Sequence, residues 1–221
     1  MSNRLIVIDG LDGSGKTTQF DIVKEKLAAD YTVKAISFPE YDKPSSALVK
    51  MYLNGEIAKD AAEVNAYAAS SFYAVDRYAS YKMYWEKNFR EGELILASRY
   101  VSSNAIHQMA KLPENEWDGY LKWLTEYEYG KLGLPEPGCV IFLDMPVEIS
   151  QKLMTERYNG DESRKDIHEA NVEYLKTCRK TALYAAERCG WNVIPCSDGE
   201  SPYTIEHITS EIMKVVGNNI I

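Results

Sequence analysis

Short apolar runs alternate with longer stretches of mixed character along the whole chain. The runs are rich in Val, Ile and Leu and predict five strands, at residues 5–8, 32–38, 94–97, 139–143 and 192–196. Most of them are apolar at nearly every position instead of at every second one. That pattern is typical of strands covered on both faces, as in a parallel sheet.

The stretches between the runs have the periodicity of amphipathic helices. They predict helices at residues 16–29, 45–53, 61–90, 166–189 and 201–216, with further helical segments up to residue 129. This alternation predicts one domain, residues 1–221, with a doubly wound α/β fold and a five-stranded parallel sheet flanked by helices. Ligands of such folds bind at the carboxyl ends of the strands. The charged stretch at about residues 155–166, with the turn signal Asn159-Gly160, is a candidate lid.

Composition narrows the class of partner. The chain has 221 residues, of which 45% are hydrophobic and 26% charged, as in ordinary globular proteins. Its net charge of −8 argues against a general surface for nucleic acid or for anionic membranes. Any cations that bind phosphate must therefore be concentrated in a local site.

The cysteines and the apolar segments indicate the cellular compartment in which the protein is expected. Four cysteines occur without CxxC spacing, so we expect reduced thiols and no metal site. Residues 3 and 4 lead directly into a short apolar run, and no apolar stretch approaches the length of about 20 residues that a membrane helix needs. We therefore expect a cytoplasmic protein.

The strongest chemical signal follows the first strand and opens the first helix. It is the sequence Gly10-Leu11-Asp12-Gly13-Ser14-Gly15-Lys16-Thr17, which matches GxxxxGK[ST] in the context that this motif requires. Its glycines let backbone N–H groups surround phosphate oxygens at a helix N-terminus. Lys16 is expected to reach the β- and γ-phosphates, and the Thr17 hydroxyl is expected to bind Mg²⁺. The predicted ATP-binding residues are Gly10, Gly13, Ser14, Gly15, Lys16, Thr17 and Thr18.

The rest of the chain favours a small kinase over other nucleotide-binding classes. It has neither the NKxD motif nor the DxxG motif of GTPases. Arg77 on a helix and Arg99 after the third strand lie where an acceptor phosphate would need cations. Arg157, Arg164 and Lys165 cluster in the candidate lid. Each arginine alone is equally compatible with a surface or ion-pair role.

Several segments follow the order of the motifs of one family. The glycine-rich loop carries an acidic residue, Asp12, two positions after its first glycine. Phe38-Pro39-Glu40 follows the second strand, and three further segments match at residues 72–77, 98–108 and 143–148. Together these segments resemble the thymidylate kinase (dTMP kinase) family of P-loop nucleoside monophosphate kinases, over nearly the whole chain. The resemblance implies ATP and Mg²⁺ as cofactors and a homodimer formed through helices.

The resemblance also implies roles at the phosphate and sugar of the acceptor, dTMP. Asp12 would hold the 3′-hydroxyl and help to orient the phosphates, and Arg99 would bind the acceptor phosphate. Tyr100, next to Arg99, belongs to the same motif. His107 falls where the family often places an aromatic ring under the deoxyribose, which excludes a 2′-hydroxyl; the alternative is a half-buried helix histidine.

At the base, the resemblance implies stacking and hydrogen bonding from two helices. Residues 72–77 match the helix that stacks the thymine ring, with Phe72 and Tyr73 at its start and Tyr73 at the stacking position. Arg77 would reach a thymine carbonyl. Ser103 and Asn104 match positions that read the base edge, where an amide can pair with a ring N–H and a carbonyl together.

Three departures from the family pattern affect the chemistry. Ser98 stands where the family usually has an aspartate that organises the Mg²⁺ waters, and Asp9 or Asp12 is a candidate to compensate. Tyr41 stands where some relatives carry an arginine. Gly13 stands where others carry a catalytic arginine, so the lid is expected to supply it, from Arg157 or Arg164. The predicted catalytic residues are Lys16, Asp12, Arg99, Arg157 and Arg164.

The predicted reaction is direct, in-line transfer of the ATP γ-phosphoryl group to dTMP, by positioning and charge stabilisation alone. Two alternatives stay open at this stage. A deoxynucleoside kinase would need a general base at a 5′-hydroxyl, and Glu40 is its candidate. A non-catalytic nucleotide-binding module is favoured by the serine at position 98. Strictness for dTMP over dUMP is also undecided.

Overall fold

The computed structural model describes residues 4–58, 63–157 and 171–220, and its centre is one parallel sheet. The sheet has five strands in the order β2-β3-β1-β4-β5, and every neighbouring pair is parallel. The strands are β1 Leu5–Gly10, β2 Val33–Ser37, β3 Leu94–Ser98, β4 Cys139–Asp144 and β5 Asn192–Pro195. The predicted five-stranded parallel sheet flanked by helices is confirmed.

Helices connect the strands and cover the sheet. Their bounds are α1 Lys16–Leu27, α2 Ala47–Leu53, α3 Ala66–Ser80, α4 Glu86–Arg90, α5 Val101–His107, α6 Trp117–Thr125, α7 Val147–Arg157, α8 Val172–Cys189 and α9 Ile205–Ile220. Two π-helical turns, Tyr81–Trp85 and Glu126–Lys131, continue α3 and α6. None of the described helices is long and apolar enough to span a membrane.

Two described helices begin later than the sequence predicts, and a side chain caps each of them. The third helix was predicted to begin at residue 61, which lies outside the described residues; the helix that the structure describes begins at Ala66, where the Asn65 side chain caps it by accepting the Ala68 N–H at 2.9 Å. The last helix begins at Ile205 and not near residue 201. There the Thr204 hydroxyl caps the helix by accepting the His207 N–H at 3.2 Å.

Alternate strand residues pack on opposite faces of the sheet. On one face, Leu5 and Val7 pack with residues of α5 and α6 around the buried Tyr120. On the other face, Ile6 and Ile8 pack with α1 and α9. The near-continuous apolar strands are explained by this burial on both sides.

The carboxyl ends of the central strands meet at one edge of the sheet. Gly10 at the end of β1 pairs with Leu143 of β4, and Ile8 pairs with Ser98 at the end of β3. The glycine-rich loop after β1 and Arg99 after β3 are therefore neighbours. All four cysteines are free thiols; Cys139, Cys178 and Cys196 are buried, and Cys189 is exposed.

Candidate active site

The glycine-rich loop has the backbone shape of an anion site. Gly13 and Gly15 have φ angles of 75° and 81°, in the left-handed region that side chains disfavour. No side chain caps the N-terminus of α1, so its first N–H groups stay available for a ligand. Lys16 is buried, whereas Thr17 and Thr18 at the same helix end are exposed. The arrangement suits the phosphates of a nucleoside triphosphate.

Beside this loop lies a cavity of about 160 Å³ that is charged at one end. At that end, Arg99 donates from Nη2 to Asp12 Oδ1 at 2.6 Å, and its Nη1 lies 3.1 Å from His107 Nε2. Because arginine can only donate, His107 Nε2 is the acceptor in this contact. Burial lowers the pKa of Arg99, but the carboxylates of Asp12 and Asp9 outweigh burial, so its pKa is raised.

Arg99 also has a strained backbone. Its φ angle is 64°, and it is the one positive-φ residue other than glycine in the part of the chain that the structure describes. Such a conformation costs of order 1 kcal/mol or more in a non-glycine residue and is concentrated at functional sites. Here it turns the chain sharply after β3 and lets Arg99 line the cavity.

Asp9 connects β1 to the start of α5 through hydrogen bonds. It is fully buried, and it accepts hydrogen bonds from the Gly10 N–H at 2.9 Å and from the Ser102 and Ser103 hydroxyls at 2.7 Å each. Asp9 is thus committed to protein donors. Of the two carboxylates that could compensate for Ser98, Asp12 is the one that lines the cavity, with its side chain 28% exposed.

The other end of the cavity carries a buried hydrogen-bonding network. Arg77 and Asn104 line the cavity, and behind them lies Glu128, which is fully buried. Glu128 accepts from Arg77 Nε and Nη2 at 2.6 Å each and from Asn104 Nδ2 at 2.9 Å. Burial lowers the pKa of Arg77, but Glu128 outweighs it, so the pKa of Arg77 is raised. This end of the cavity is therefore polar, and its groups are held in fixed directions by buried hydrogen bonds.

Aromatic and apolar side chains form the walls between the two ends. Tyr73 of α3 lines the cavity together with Phe38, Pro39 and Leu53. A flat base between these groups would be held by stacking and apolar contact. Tyr73 is where the stacking residue is expected from the sequence.

Two polar residues of the cavity were not among the predicted site residues. Gln108 is 4% exposed, and its Oε1 has no hydrogen-bond partner although it is buried. It lies four residues after Asn104, on the same face of α5 and its continuation, which was the available signal. Tyr174 comes from α8, and its hydroxyl donates to the His107 carbonyl at 3.0 Å. No sequence signal near Tyr174 pointed to the cavity.

Three other residues singled out in the sequence do not line this cavity. Phe72 packs instead against Tyr52, with ring centroids 6.0 Å apart. Tyr100 is fully buried, and its hydroxyl donates to the Pro135 carbonyl at 3.1 Å. Glu40 bonds through its backbone N–H to Asp76 at 3.0 Å, and burial raises the pKa of its carboxyl. Its position offers no base at the acceptor end.

The P-loop has no room for an arginine at position 13. A Cβ atom there would lie 2.8 Å from the Ser150 carbonyl oxygen and 3.0 Å from Met154 Cγ, both on α7. Arg157 is the last residue of α7. Arg164 and Lys165, and most of the candidate lid, lie outside the described residues, so their roles stay predictions.

The donor set around the loop fits Mg²⁺. Among residues 4–58, 63–157 and 171–220, no group of three or more His, Cys, Asp or Glu side chains is placed to hold a metal. Mg²⁺ does not need such a cage, since it keeps several waters and binds phosphate oxygens with one or two protein oxygens. The exposed Thr17 hydroxyl at the start of α1 is an oxygen of the required kind.

Comparison with known proteins points in the same direction as this geometry. The sequence model of the thymidylate kinase family matches residues 8–204. A thymidylate kinase of Mycobacterium tuberculosis is 30% identical over 184 residues, which cover 82% of this chain and 84% of that protein. A probable thymidylate kinase of Pyrobaculum aerophilum is 25% identical over 211 residues, 96% of either chain. The solved structure of thymidylate kinase from Candida albicans shares the fold, with a TM-score of 0.72, 21% identity and coverage of 99% of this chain and 92% of that one.

Proposed function

This chain belongs to the thymidylate kinase family, and from that premise we propose that it transfers the γ-phosphoryl group of ATP to dTMP, giving dTDP and ADP. One observation carries the proposal: a single cavity beside the glycine-rich loop has Arg99 at one end and hydrogen-bonding groups for a base at the other. A nucleoside monophosphate has the same two ends. The deoxynucleoside kinase and the non-catalytic module are not favoured.

The reaction needs no covalent intermediate on the protein. We propose that Arg99 and Lys16 hold the two phosphates so that an oxygen of dTMP faces the γ-phosphorus in line. Holding reactants in this way replaces a bimolecular encounter with a local one, and positive charge stabilises the transferring group. Asp12 would hold the 3′-hydroxyl. When bound, Mg²⁺ supplies charge that neutralises the phosphate oxygens, and Thr17 would be its protein ligand.

A comparison of acceptors tests the proposed reaction. ADP release should depend on added dTMP, and thymidine should not replace dTMP, because thymidine lacks the phosphate that Arg99 would hold. Coupled ADP detection with each acceptor at equal concentration measures this. Equal turnover with thymidine would favour the nucleoside kinase, and no sustained release with dTMP would favour the non-catalytic module.

Loss of Arg99 should weaken use of the acceptor. A charge-assisted hydrogen bond is worth about 1.5–3 kcal/mol, so Arg99→Ala should lower kcat/KM for dTMP by roughly 10- to 100-fold. The KM for ATP should change little. Lys16→Ala should instead impair turnover through the ATP phosphates. Steady-state kinetics with each substrate varied separates the two effects.

Arg188→Ala is a matched control, because Arg188 is an exposed arginine of α8 that pairs with Asp118 at 3.3 Å. It should keep normal kinetics. If the KM for dTMP and the kcat of Arg99→Ala both stay within about threefold of wild type, the loss of transition-state stabilisation is below about 1 kcal/mol. That result would contradict the role assigned to Arg99.

Ser98 is expected to be a tolerated departure. Since Thr17, ATP oxygens and waters can complete an octahedral shell, turnover should occur at millimolar Mg²⁺ without a carboxylate at this position. Ser98→Asp should shift the Mg²⁺ dependence of kcat more than the affinity for either nucleotide. Titration of Mg²⁺ at saturating substrates is the measurement. A folded wild-type protein that binds ATP yet stays inactive at every Mg²⁺ concentration would contradict the proposal.

A homodimer and a cytoplasmic location are also part of the proposal. The support for the dimer is a set of exposed apolar side chains on the neighbouring helices α2 and α3: Leu48, Met51, Val75 and Tyr78, each 39–44% exposed. Surfaces of this kind mark interaction sites when they are contiguous. Light scattering during gel filtration would show a dimer mass, and a monomer at micromolar concentration would contradict this part.

A further inference from the structure

We propose that Glu128 is a specificity-determining residue, which fixes the hydrogen-bonding pattern that the cavity presents to the base. It holds Arg77 as a donor and Asn104 as an acceptor, the pair that a thymine edge requires and a cytosine edge does not. The inference rests on the proposed function. Glu128 does not touch the base itself and acts as a positioning residue.

Glu128 is placed for this task by an irregular turn. It lies in the π-helical turn Glu126–Lys131 that follows α6, and its side chain is fully buried directly behind the cavity. Turns of this kind are rare in helices and frequent at functional sites. One carboxylate oxygen, Oε1, accepts from both Arg77 Nη2 and Asn104 Nδ2. The two cavity residues are therefore coupled through a single atom.

The orientation of the Asn104 amide follows from its neighbours. Its Nδ2 lies 2.9 Å from Glu128 Oε1 and 3.2 Å from the Ser70 carbonyl oxygen. A carboxylate and a carbonyl can only accept, so the amide must turn its NH₂ group toward them. Both N–H donors are then used. What Asn104 can offer to a ligand is its carbonyl oxygen, an acceptor.

Arg77 supplies the complementary donor. Its guanidinium has five N–H groups. Nε and Nη2 each donate one hydrogen bond to Glu128, and Nη1 donates one to the Tyr100 carbonyl at 3.2 Å. Two N–H groups are left over from these bonds, and Arg77 lines the cavity. With the guanidinium held at three points, its remaining donors have a fixed direction.

This donor–acceptor pair matches one class of pyrimidine. Thymine presents a carbonyl acceptor at position 4 and an N–H donor at position 3, whereas cytosine presents an amino donor and a ring-nitrogen acceptor. Cytosine would place donor against donor and acceptor against acceptor. Uracil has the same edge as thymine. Glu128 should therefore govern the choice between dTMP and dCMP and leave the choice between dTMP and dUMP unchanged.

A purely structural role is the competing explanation. A buried ion pair such as Arg77–Glu128 is strongly destabilising to break, whatever its function. Loss of stability alone would lower activity with all acceptors equally. The ratio of kcat/KM values for two acceptors cancels any loss of folded protein, so it separates the two explanations.

The test is the acceptor selectivity of Glu128→Gln, a neutral side chain of the same shape. An amide nitrogen cannot accept, so in the orientation that puts it in place of Oε1 both Arg77 Nη2 and Asn104 Nδ2 lose their acceptor. The Asn104 amide is then held by the Ser70 carbonyl alone. We expect the dTMP-to-dCMP ratio of kcat/KM to fall by at least about tenfold. The dTMP-to-dUMP ratio and the KM for ATP should stay within about threefold of wild type.

Further variants keep the test decisive. Glu114→Gln removes an exposed glutamate that pairs with Lys180 at 2.6 Å, and it should leave every ratio unchanged. Glu128→Asp retains the negative charge but moves the carboxylate away from Arg77 and Asn104. This variant replaces Glu128→Gln in the test if Glu128→Gln does not fold. The same change at Glu128 can also be made in the Asn104→Ala variant. There it should lower the dTMP-to-dCMP ratio less than it does in the wild-type protein, because Glu128 acts through Asn104.

The outcomes separate the two proposals. A wild-type protein that does not phosphorylate dTMP contradicts the proposed function and the role of Glu128 with it. If the wild type is active and the folded Glu128 variants keep a dTMP-to-dCMP ratio within about threefold of wild type, only the role of Glu128 is overturned.

Discussion

In a panel of nucleoside monophosphates, dTMP is expected to have a kcat/KM about 10⁴-fold above those of dCMP and dAMP. The base end of the cavity is the reason. Arg77 and Asn104 are almost completely buried there, and Gln108 has a buried carbonyl oxygen without a partner. A base that cannot satisfy such groups leaves them buried and unpaired, which carries the full desolvation penalty. A coupled assay with each acceptor under kcat/KM conditions measures the ratio.

The panel has an internal control in dUMP, which shares the hydrogen-bonding edge of dTMP and differs by one methyl group. One methyl group in an apolar pocket is worth about 1–3 kcal/mol, so dUMP should fall between dTMP and the mismatched acceptors. Turnover of dCMP or dAMP comparable with that of dTMP would contradict the assignment of the base end. It would leave the argument from the glycine-rich loop intact.

Replacement of both Arg157 and Arg164 by alanine is expected to lower kcat by at least about 100-fold, since an arginine at a transferring phosphoryl group can contribute about 10³- to 10⁵-fold. The transferring group needs a cation besides Lys16 and Mg²⁺, and position 13 cannot provide one. A side chain there would require a left-handed backbone and would collide with Ser150. Affinity for ATP should change little, because such a contact forms chiefly in the transition state.

We favour Arg157 over Arg164 as the contributing residue. Arg157 is three residues beyond Met154, whose Cγ would lie 3.0 Å from a Cβ atom at position 13. Of the single variants Arg157→Ala and Arg164→Ala, one should account for most of the loss in kcat. Lys152→Ala, which removes an exposed cation of the same helix, is the matched control and should keep normal kcat. A double variant with near-normal kcat would show that the lid cations are a solvated surface loop.

The sheet and the glycine-rich loop were predictable because their signals are local. Each strand is a short apolar run, and the loop is one continuous motif between a strand and a helix. The late start of α3 also had a local signal, since Asn65 is a residue type that favours the cap position. What decided the boundary is the specific bond of that side chain to Ala68, which a periodicity argument overlooks.

Other parts of the site depend on contacts between distant positions. Glu128 in the sequence is one glutamate among several charged residues, and only its bonds to Arg77, 51 residues away, identify it. Tyr174 contacts His107 across 67 residues, from a helix that follows the candidate lid in the sequence. Nothing in either local sequence differs from that of an ordinary helix surface. Such residues become visible only when the tertiary structure brings them together.

The paired arrangement of Arg99 and Asp12 has a consequence for the design of inhibitors. A phosphate that binds Arg99 has to compete with a carboxylate already 2.6 Å from Nη2. An uncharged compound that carries the thymine edge and ends in a hydroxyl or amide at that point leaves the ion pair intact. It also lacks the negative charge that keeps nucleotides from crossing lipid bilayers. Neutral, thymine-headed ligands are therefore a second class of inhibitor for this cavity, beside phosphonate mimics of the substrate.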